Sequence, residues 1–488
     1  MSSLDHSQTP YADALAAYAQ RDVLRLNVPG HNARRDAADR LVEYFGQSVV
    51  ERDVPPWLPG IDSGDDSPLN RARELAADAW GAHETWFLTN GASQANRLAA
   101  LAIAQFGGTN SSVIAQRSAH SSFIDGLILS GLSPRWVLPT VDAHHGINHG
   151  ITVDDFRRAV EENPDACGAY IISPSYFGAV ADIEGIAAVA HDAGMPLVVD
   201  GAWGAHFGFH PDVPENPLVL GADVLVSSTH KLGGSLTQSA MIHVGKGPFA
   251  ERLTDILNRT FPLTQSTSYS SLLLASLDIA RSTLATGHDA IGRSIASADS
   301  LRAAVREHPR LAVVSDGFDQ FGDIVGHDPL HVSIDVSGLG RTGVEARNTL
   351  MTEFHIELEI ATDTCVVAIV GPGHEIDSER LIAALTNLAK DSGTTETREL
   401  QSLPPVGRAA MQPRDAFFAP SEIVDAAHAV GRISADTVSA YPPGIPNLMP
   451  GEVISAEVLE FLAYTAQQPG GYVRGALTAS ADTFRVVR

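Results

Sequence analysis

Short apolar runs alternate with amphipathic segments along residues 71–245 of the chain. The runs have the length and residue types of buried strands, and apolar residues at helical spacing fill the segments between them. Strands that alternate with helices of about 10–15 residues predict a mostly parallel sheet covered by helices on both faces. The predicted strands are Thr85–Thr89, Ser112–Ala115, Arg135–Leu138, Ala169–Ser173, Pro196–Asp200, Asp223–Ser227 and Ala240–Val244.

Two of the intervening segments carry clear helix-end signals. A T-x-x-D pattern at Thr152 predicts a capped helix start. The segment Asp182–Ala193 stops before Gly194, which favours a left-handed residue at the helix end. These signals support helices between the predicted strands.

The pattern changes after residue 248. Long helical stretches come first, then a smaller α/β unit, a polar linker at Lys390–Leu400 and a C-terminal part rich in Pro and Gly. We predict an N-terminal segment (1–45), a major domain (46–300), a small α/β domain (301–395) and a C-terminal α+β domain (396–488). The predicted helices are Pro248–Arg259, Ser270–Ala285 and Ala290–His308, and the predicted strands are His331–Val336, His355–Ile360 and Cys365–Val370.

Charge and composition narrow the function. The 488 residues carry a net charge of −25, which argues against nucleic acid or an anionic membrane surface as the main partner. Only three of the 33 basic residues are Lys, and none lies in a Walker A motif, so that route to nucleotide hydrolysis is excluded. Two distant cysteines, no signal peptide and no apolar run of about 18 residues predict a cytoplasmic protein.

An acid and a lysine follow neighbouring predicted strands. Asp200 ends the strand PLVVD, and Lys231 follows the next strand in STHK, before Gly233 and Gly234. The carboxyl ends of such strands are where open α/β sheets bind ligands. A lysine amine can bind the aldehyde of pyridoxal 5'-phosphate, and a carboxylate can hold its pyridinium nitrogen. The alternative is that Asp200 caps a turn and Lys231 is a solvated loop residue.

Other polar residues have two interpretations each. The segment around Ser93 could open a helix that offers backbone N–H groups to an anion, or Ser93 could be a simple N-cap. His120, just after a strand, could stack on a cofactor ring or be structural. The cluster of His144, His145 and His149 could bind metal, but we expect a surface loop without metal, since no matched acid lies beside it.

Several longer segments together resemble the bacterial ornithine/lysine/arginine decarboxylases, which depend on pyridoxal phosphate and have the aspartate-aminotransferase-like fold (fold type I). The resemblance covers nearly the whole chain and is weakest over residues 300–400. STHK and YPPGIP are its most specific motifs. The matching segments are Pro29–Asn32, Phe87–Ser93, Ala119–Gly131, Ser173–Pro211, Ser227–Val244, Thr267–Arg281, Pro413–Glu422 and Gly431–Glu452.

This resemblance implies the decarboxylation of a basic amino acid (arginine, lysine or ornithine) to a di- or polyamine precursor. It also implies a homodimer or higher homo-oligomer with active sites at the interface between subunits. The alternatives are another reaction of the same fold, such as transamination or a lyase reaction, and a non-catalytic binding or regulatory protein. The implied catalytic residues are Lys231, His120 and His230. The implied cofactor-binding residues are Asp200, Trp203, Ala92, Ser93, His120, Ser228, His230, Lys231 and, from a neighbouring subunit, Thr267 with Ser266.

The chain also departs from the family pattern. Ser121 replaces a lysine beside the stacking histidine, Asn32 replaces the lysine of the PGHK motif, and Pro68 lies where the family has His. A cationic substrate side chain needs a carboxylate, for which Asp62, Asp65, Asp66 and Glu452 are candidates. The departures therefore leave the substrate open while the cofactor residues remain.

Overall fold

A seven-stranded sheet forms the centre of the computed structural model, which describes residues 4–36, 38–108, 111–390, 402–441, 444–468 and 471–488. The strand order is β1-β10-β9-β8-β6-β2-β3. β10 runs antiparallel to both of its neighbours, while β9, β8, β6, β2 and β3 are mutually parallel. These strands are β1 (Glu84–Leu88), β2 (Ser112–Gln116), β3 (Ser133–Val137), β6 (Ala166–Ile172), β8 (Leu197–Asp200), β9 (Val224–Ser227) and β10 (Ala240–Val244).

Two hydrophobic clusters cover this sheet, one on each face. On β1, Trp86 and Leu88 join one cluster while Phe87 joins the other, as the two-residue period of a strand requires. The first cluster contains residues of α5 (Gly91–Gly107), α6 (Ser121–Ser130) and α9 (Ala250–Thr264). The second contains residues of α7 (Val153–Glu162), α8 (Ile183–Asp192) and α10 (Ser271–Thr286). The predicted α/β architecture, with a mostly parallel sheet covered on both faces, is confirmed.

Three further helices precede the sheet and one leads into it: α1 (Pro10–Ala19), α2 (Asp39–Phe45), α3 (Gln47–Arg52) and α4 (Pro68–Ala79). The buried carboxylate of Asp278 on α10 accepts hydrogen bonds from the N–H groups of Tyr11 and Ala12. This contact satisfies two N–H groups at the start of α1, which have no partner within the helix.

The predicted helix ends are confirmed. The Thr152 hydroxyl accepts a hydrogen bond from the Asp155 N–H at 3.0 Å and caps α7. α8 is capped by Asp182 and ends at Asp192, and Gly194 has a φ of +72°. The three predicted long helices are α9, α10 and α11 (His288–Glu307).

A four-stranded sheet of order β11-β13-β15-β14 follows α11. The predicted strand His355–Ile360 is wrong in extent, because His355 has a φ of +54° and only Ile360 and Ala361 pair with β15. The elements of this part are β11 (Ala312–Val313), β12 (Gly326–His327), β13 (His331–Asp335), α12 (Gly343–Glu353), β14 (Ile360–Ala361), β15 (Cys365–Ile369), α13 (Ser378–Lys390) and two 3₁₀ turns (Val314–Gln320, Ser337–Leu339).

Two small pairings connect the two sheets. β4 (Val141–Asp142) and β5 (Ile147–Asn148) form a short hairpin, and β7 (Ala179–Val180) pairs with β12. Ile147 of the hairpin packs in one cluster with Val314, Phe318 and Cys365. The hairpin therefore rests on the four-stranded sheet.

The C-terminal part has its own hydrophobic cluster between α16 and two small sheets. Its elements are α14 (Pro413–Phe418), β16 (Ser421–Asp425), α15 (Ala426–Ala429), β17 (Val438–Tyr441), β18 (Pro446–Leu448), α16 (Ala456–Gln467), β19 (Tyr472–Arg474) and β20 (Thr483–Val487). The predicted linker continues from the end of α13 into residues 391–400, outside the described residues. The division into four predicted domains remains a prediction. Within the described ranges, we find no helix with the length and apolarity that crossing a membrane requires.

Candidate active site

A cavity of about 330 Å³ lies at the carboxyl ends of the parallel strands. Its walls come from the segments that follow β1, β2, β6, β8 and β9, which the sheet brings to one edge. The lining residues are Asn90, Gly91, Ala92, Ser93, Asn96, Ser118, His120, Ile172, Tyr176, Asp200, Ala202, Trp203, Ser228, His230, Lys231, Thr237 and Gln238.

The structure brings almost all of the predicted site residues into this one cavity. Ala92, Ser93, His120, Asp200, Trp203, Ser228, His230 and Lys231 all line it. Thr267 does not; it lies on an exposed turn between α9 and α10. Since Thr267 was assigned to the site of a neighbouring subunit, that assignment and the individual roles remain predictions.

Lys231 presents its amine between aromatic rings. The Nζ atom lies 3.7 Å from the centroid of the Trp203 ring and 5.9 Å from that of Tyr176. Desolvation lowers the pKa of Lys231 to about 8, although the negative charges of Asp200 and Glu359 oppose the shift. A lowered pKa supplies the unprotonated amine that nucleophilic chemistry requires.

Steric constraints explain why Gly233 and Gly234 follow Lys231. Gly234 has a φ of +78°, and a Cβ atom on Gly233 would lie 2.5 Å from the Thr229 carbonyl oxygen. The chain can therefore turn sharply behind the lysine only with glycine at these positions.

The carboxylate of Asp200 is buried and held by three donors. Tyr170 Oη donates to Asp200 Oδ2 at 2.7 Å, Asn96 Nδ2 donates to the same oxygen at 2.9 Å, and the Ala202 N–H donates to Oδ1 at 3.1 Å. Tyr170 is stacked on Phe123 with ring centroids 3.6 Å apart. These contacts fix the orientation of the carboxylate toward the cavity.

A hydrogen-bond chain joins Asp200 to His120. Asn96 Nδ2 also donates to Ser122 Oγ at 3.1 Å, and that oxygen lies 2.7 Å from His120 Nδ1. His120 is the N-cap of α6, since its Nδ1 accepts the Ser122 N–H at 3.3 Å. Nδ1 therefore acts as an acceptor, and in the neutral ring Nε2 carries the proton. The side chain is open to solvent, yet desolvation lowers its pKa, and Lys231 adds to this.

His230 has one nitrogen already engaged. Its Nδ1 lies 2.9 Å from the Ser239 carbonyl oxygen, which can only accept, so Nδ1 is the donor. Desolvation lowers the pKa of His230, and Lys231 lowers it further. Only Nε2 is left for a role in the cavity.

The first turn of α5 forms one end of the cavity. The helix begins at Gly91, and its N-cap Asn90 makes no side-chain capping bond. Ser93 therefore lies inside the first turn, and its alternative interpretation as an N-cap is wrong. The first-turn backbone N–H groups have no partner within a helix, and together with the helix dipole they favour an anion.

Residues from the other parts of the chain approach the cavity mouth. The guanidinium of Arg474 on β19 donates to Ser121 Oγ at 3.3 Å. Its positive charge acts to lower the pKa of both His120 and Tyr176. The negative charge of Glu359, next to β14, acts in the opposite direction and raises the pKa of Lys231. Neither residue could be recognised from the sequence, because the position of each depends on how a distant segment packs against the sheet.

None of the four acids considered from the sequence lines the cavity of the described chain. Glu452 is buried and bound to Arg117, with contacts of 2.6 and 2.8 Å. Asp62 accepts hydrogen bonds from Tyr269 Oη and two backbone N–H groups. Asp65 and Asp66 are exposed.

The donor set defines what the cavity can hold. A helix N-terminus lies at one end, a carboxylate is fixed in the wall, and an amine of lowered pKa lies between aromatic rings. The Trp203 indole Nε1 is buried and has no hydrogen-bond partner within the described ranges. A compound with a phosphate, a protonated ring nitrogen and an aldehyde would match these groups.

Comparison with known families gives two matches in this chain. Residues 9–321 match the model of the Orn/Lys/Arg decarboxylase major domain, and residues 397–470 match that of the Orn/Lys/Arg decarboxylase C-terminal domain. Together the matches include all of the lining residues of the cavity.

Individual relatives match over nearly the whole chain. The arginine decarboxylase of Bacillus subtilis is 34% identical over 99% of this chain and 99% of its own length. The constitutive lysine decarboxylase of Escherichia coli is 25% identical over 94% of this chain and 77% of its own length. Among solved structures, lysine decarboxylase A from Pseudomonas aeruginosa has a TM-score of 0.82 at 21% identity, covering 98% of this chain and 80% of that one.

Proposed function

The chain belongs to the Orn/Lys/Arg decarboxylase family, and from this premise we propose that it removes the α-carboxylate of arginine with pyridoxal 5'-phosphate as its cofactor. Decarboxylation of a basic amino acid follows from the family. The choice of arginine is supported by the arginine decarboxylases of several Bacillus species, which match at 34% identity. The observation that carries the proposal is the meeting of the Lys231 amine, the Asp200 carboxylate and the start of α5 in one cavity.

Different cavity residues would hold different parts of this cofactor. The start of α5 with Ser228 and His230 would bind the phosphate, Asp200 would face the pyridine nitrogen, and Lys231 would bond to the aldehyde. When bound, the cofactor supplies an electron sink for the pair left behind by the departing carboxylate. Tyr170 and Asn96 hold Asp200 in place for this task.

The remaining residues position groups and protons. Trp203 and Tyr176 shield the Lys231 amine from water. The imidazole of His120 is oriented by the Ser122 contacts at Nδ1. It would stack on the cofactor ring, or its Nε2–H would supply a proton at the reacting carbon. His230 is the second proton donor we consider. Because its Nδ1 donates to the Ser239 carbonyl, its Nε2 could give up a proton only from the protonated ring.

Glu359 is the acid that we assign to the substrate side chain. Its negative charge raises the pKa of Lys231. Glu359 is exposed and does not itself line the cavity, so we propose that it meets the side chain of a substrate that extends out of the cavity. Glu357, two residues earlier, is also exposed and is a matched control. We expect Glu359→Gln to raise the KM for arginine at least tenfold and Glu357→Gln to leave it unchanged.

A product assay with the purified holoenzyme tests the reaction. We expect CO₂ and agmatine from arginine, with a higher kcat/KM than for lysine or ornithine. A keto acid without CO₂ would point to transamination instead. We expect Lys231→Ala to abolish turnover, while Lys246→Ala retains it. Borohydride trapping of the cofactor on Lys246 or Lys390 would overturn the assignment of Lys231.

We further propose a homodimer in which Thr267 of each subunit contacts the phosphate bound by its neighbour. Its exposed position outside the cavity of its own chain supports this. Mixing inactive Lys231→Ala subunits with Thr267→Ala subunits tests the arrangement. We expect the mixture to regain activity above that of either variant, because a mixed dimer has one complete site.

A further inference from the structure

Two histidines and a carboxylate converge outside the cofactor cavity. His144 and His145 lie in the turn of the β4–β5 hairpin, and Asp335 ends β13 of the four-stranded sheet. One ligand atom from each residue lies within 4.8 Å of the others. None of the three lines the cavity described above. The absence of a matched acid beside these histidines in the sequence predicts no metal here, but the fold brings an acid from the other sheet.

The two distances from these histidines to Asp335 are those of a metal-ligand set. His144 Nε2 lies 3.3 Å from Asp335 Oδ2, and His145 Nε2 lies 3.5 Å from the same oxygen. Zinc binds His nitrogen and carboxylate oxygen at about 2.0–2.2 Å, which separates tetrahedral ligands by about 3.3 Å. An ion can therefore reach all three atoms without a large movement of the backbone.

The orientation of His145 is fixed from behind by Asp142. His145 Nδ1 donates to Asp142 Oδ2 at 2.6 Å. Although burial opposes it, the carboxylates of Asp142 and Asp335 raise the pKa of His145 to about 9, so an ion that binds at Nε2 replaces a proton there. A carboxylate behind a histidine is the usual outer partner of a metal ligand. Asp142 Oδ1 also accepts the backbone N–H groups of His144 and His145, both at 3.0 Å, which holds the turn in shape.

Asp335 is held as firmly as the hairpin. Its Oδ1 accepts the Ser337 N–H at 2.8 Å, which leaves Oδ2 directed at the two histidines. Its side chain is 12% exposed and that of His145 is 15% exposed, whereas that of His144 is 57% exposed. The three donors thus form a half-buried site with one side open to water. His149, the third histidine of the sequence cluster, is buried against Phe318 and Phe321 and takes no part.

We propose that His144, His145 and Asp335 bind a divalent transition-metal ion, Zn²⁺ or one of similar ligand preference, with water in the fourth position. Two imidazoles and one carboxylate are donors that suit this class of ion and not Mg²⁺ or Ca²⁺, which prefer oxygen. The ion would fasten the hairpin to the four-stranded sheet, on which Ile147 already packs. Its role is therefore structural, separate from the chemistry at Lys231.

Zinc titration of the metal-free holoenzyme by calorimetry tests the proposal. We expect one Zn²⁺ per chain and a higher Tm with zinc than without it. We expect His145→Gln and Asp335→Asn to weaken binding at least a hundredfold and Asp142→Asn to weaken it about 10–100-fold, since Asp142 acts only through His145. We also expect zinc to leave the visible absorption of the bound cofactor unchanged. A change in that absorption would indicate that zinc binds at His120 or His230 instead.

His428 provides a matched control. It forms a 2.6 Å contact with Asp425 like that of His145 with Asp142, but no third ligand residue groups with the pair within the described ranges. We expect His428→Gln to bind zinc as the unaltered protein does. His144→Gln, a change at an exposed position, serves if the more buried variants fail to fold. Zinc binding that survives both His144→Gln and Asp335→Asn, or no zinc binding by the unaltered protein, would overturn the proposal.

Discussion

The guanidinium of Arg117 and the carboxylate of Glu452 form a fully buried, two-point ion pair between the central sheet and the C-terminal part of the chain. Nη1 contacts Oε1 at 2.6 Å and Nη2 contacts Oε2 at 2.8 Å, across 335 residues of sequence. Arg117 Nε also donates to the Pro446 carbonyl, and Glu452 Oε2 accepts the Met449 N–H. The pair attaches the residues around β18 to the segment that follows β2. His120 of the cavity lies in the same segment, three residues after Arg117.

Removing one partner of this pair should be costly. We expect Glu452→Gln to lower the free energy of unfolding by about 3–5 kcal/mol, because the Arg117 charge would remain buried without compensation. The solvent-exposed Arg432–Glu422 pair has a similar 2.8 Å contact, and we expect Glu422→Gln to have a much smaller effect on the free energy of unfolding, because water screens this pair. Urea unfolding of both variants measures the difference. Equal effects would show that burial does not set the importance of the Arg117 pair.

The central sheet could be predicted because its signal is local. Each strand from Thr85 to Val244 is a short apolar run, and the observed strands agree to within a few residues. Parallel pairing then places the ends of β8 and β9 side by side, so Asp200 and Lys231 could be expected to meet. Because the chain has only three lysines and Lys231 alone precedes a pair of glycines, the cofactor-binding lysine could be predicted as Lys231.

The rest of the site could not be predicted because its signals are not local. The sequence pattern indicates only that Tyr170 lies in a strand and Asn96 in a helix, although both side chains donate hydrogen bonds to Asp200. Glu359 lies in a segment whose alternating pattern predicted a longer strand, and its approach to Lys231 depends on the packing of a second sheet. Asp335 was missed beside His145 for the same reason.

The hydroxyl of Tyr170 should matter more to the reaction than to the fold. We expect Tyr170→Phe to lower kcat/KM for arginine about tenfold or more, because Asp200 Oδ2 loses its 2.7 Å donor. The ring and its stacking on Phe123 are kept, so the Tm should change little. Steady-state kinetics and thermal unfolding of the same preparation separate the two effects. An unchanged kcat/KM would contradict the role of this hydrogen bond.

The amine of Lys231 should react at lower pH than an ordinary lysine. Because burial lowers its pKa to about 8, we expect its acylation in cofactor-free protein to rise with pH through a midpoint near 8, measured by peptide mapping. The Asp200 charge favours the protonated amine, so Asp200→Asn should move the midpoint below 8. A midpoint near the usual lysine pKa of about 10.4 would contradict this account of the cavity.

Asp328 should control the acid stability of the protein. Its buried carboxylate lies 3.0 Å from His206 Nε2 and 2.7 Å from His331 Nδ1. Burial opposes ionisation, yet the two histidines hold the pKa of Asp328 well below its usual range. A depressed carboxyl pKa stabilises the fold above the unfolded value of about 3.9, and this stabilisation is lost as the pH falls below it.

We therefore expect Asp328→Asn to lower the free energy of unfolding at pH 7 by about 3 kcal/mol or more, with a smaller difference from the unaltered protein below pH ~4. Asp289→Asn, at an exposed His–Asp contact of 3.5 Å, should have no measurable effect. The His331 ring also contacts Trp203 edge-to-face, with centroids 5.5 Å apart. Asp328→Asn should therefore make the position of Trp203 beside Lys231 less well defined and lower kcat. An unchanged kcat in a destabilised variant would show that Asp328 contributes to stability alone.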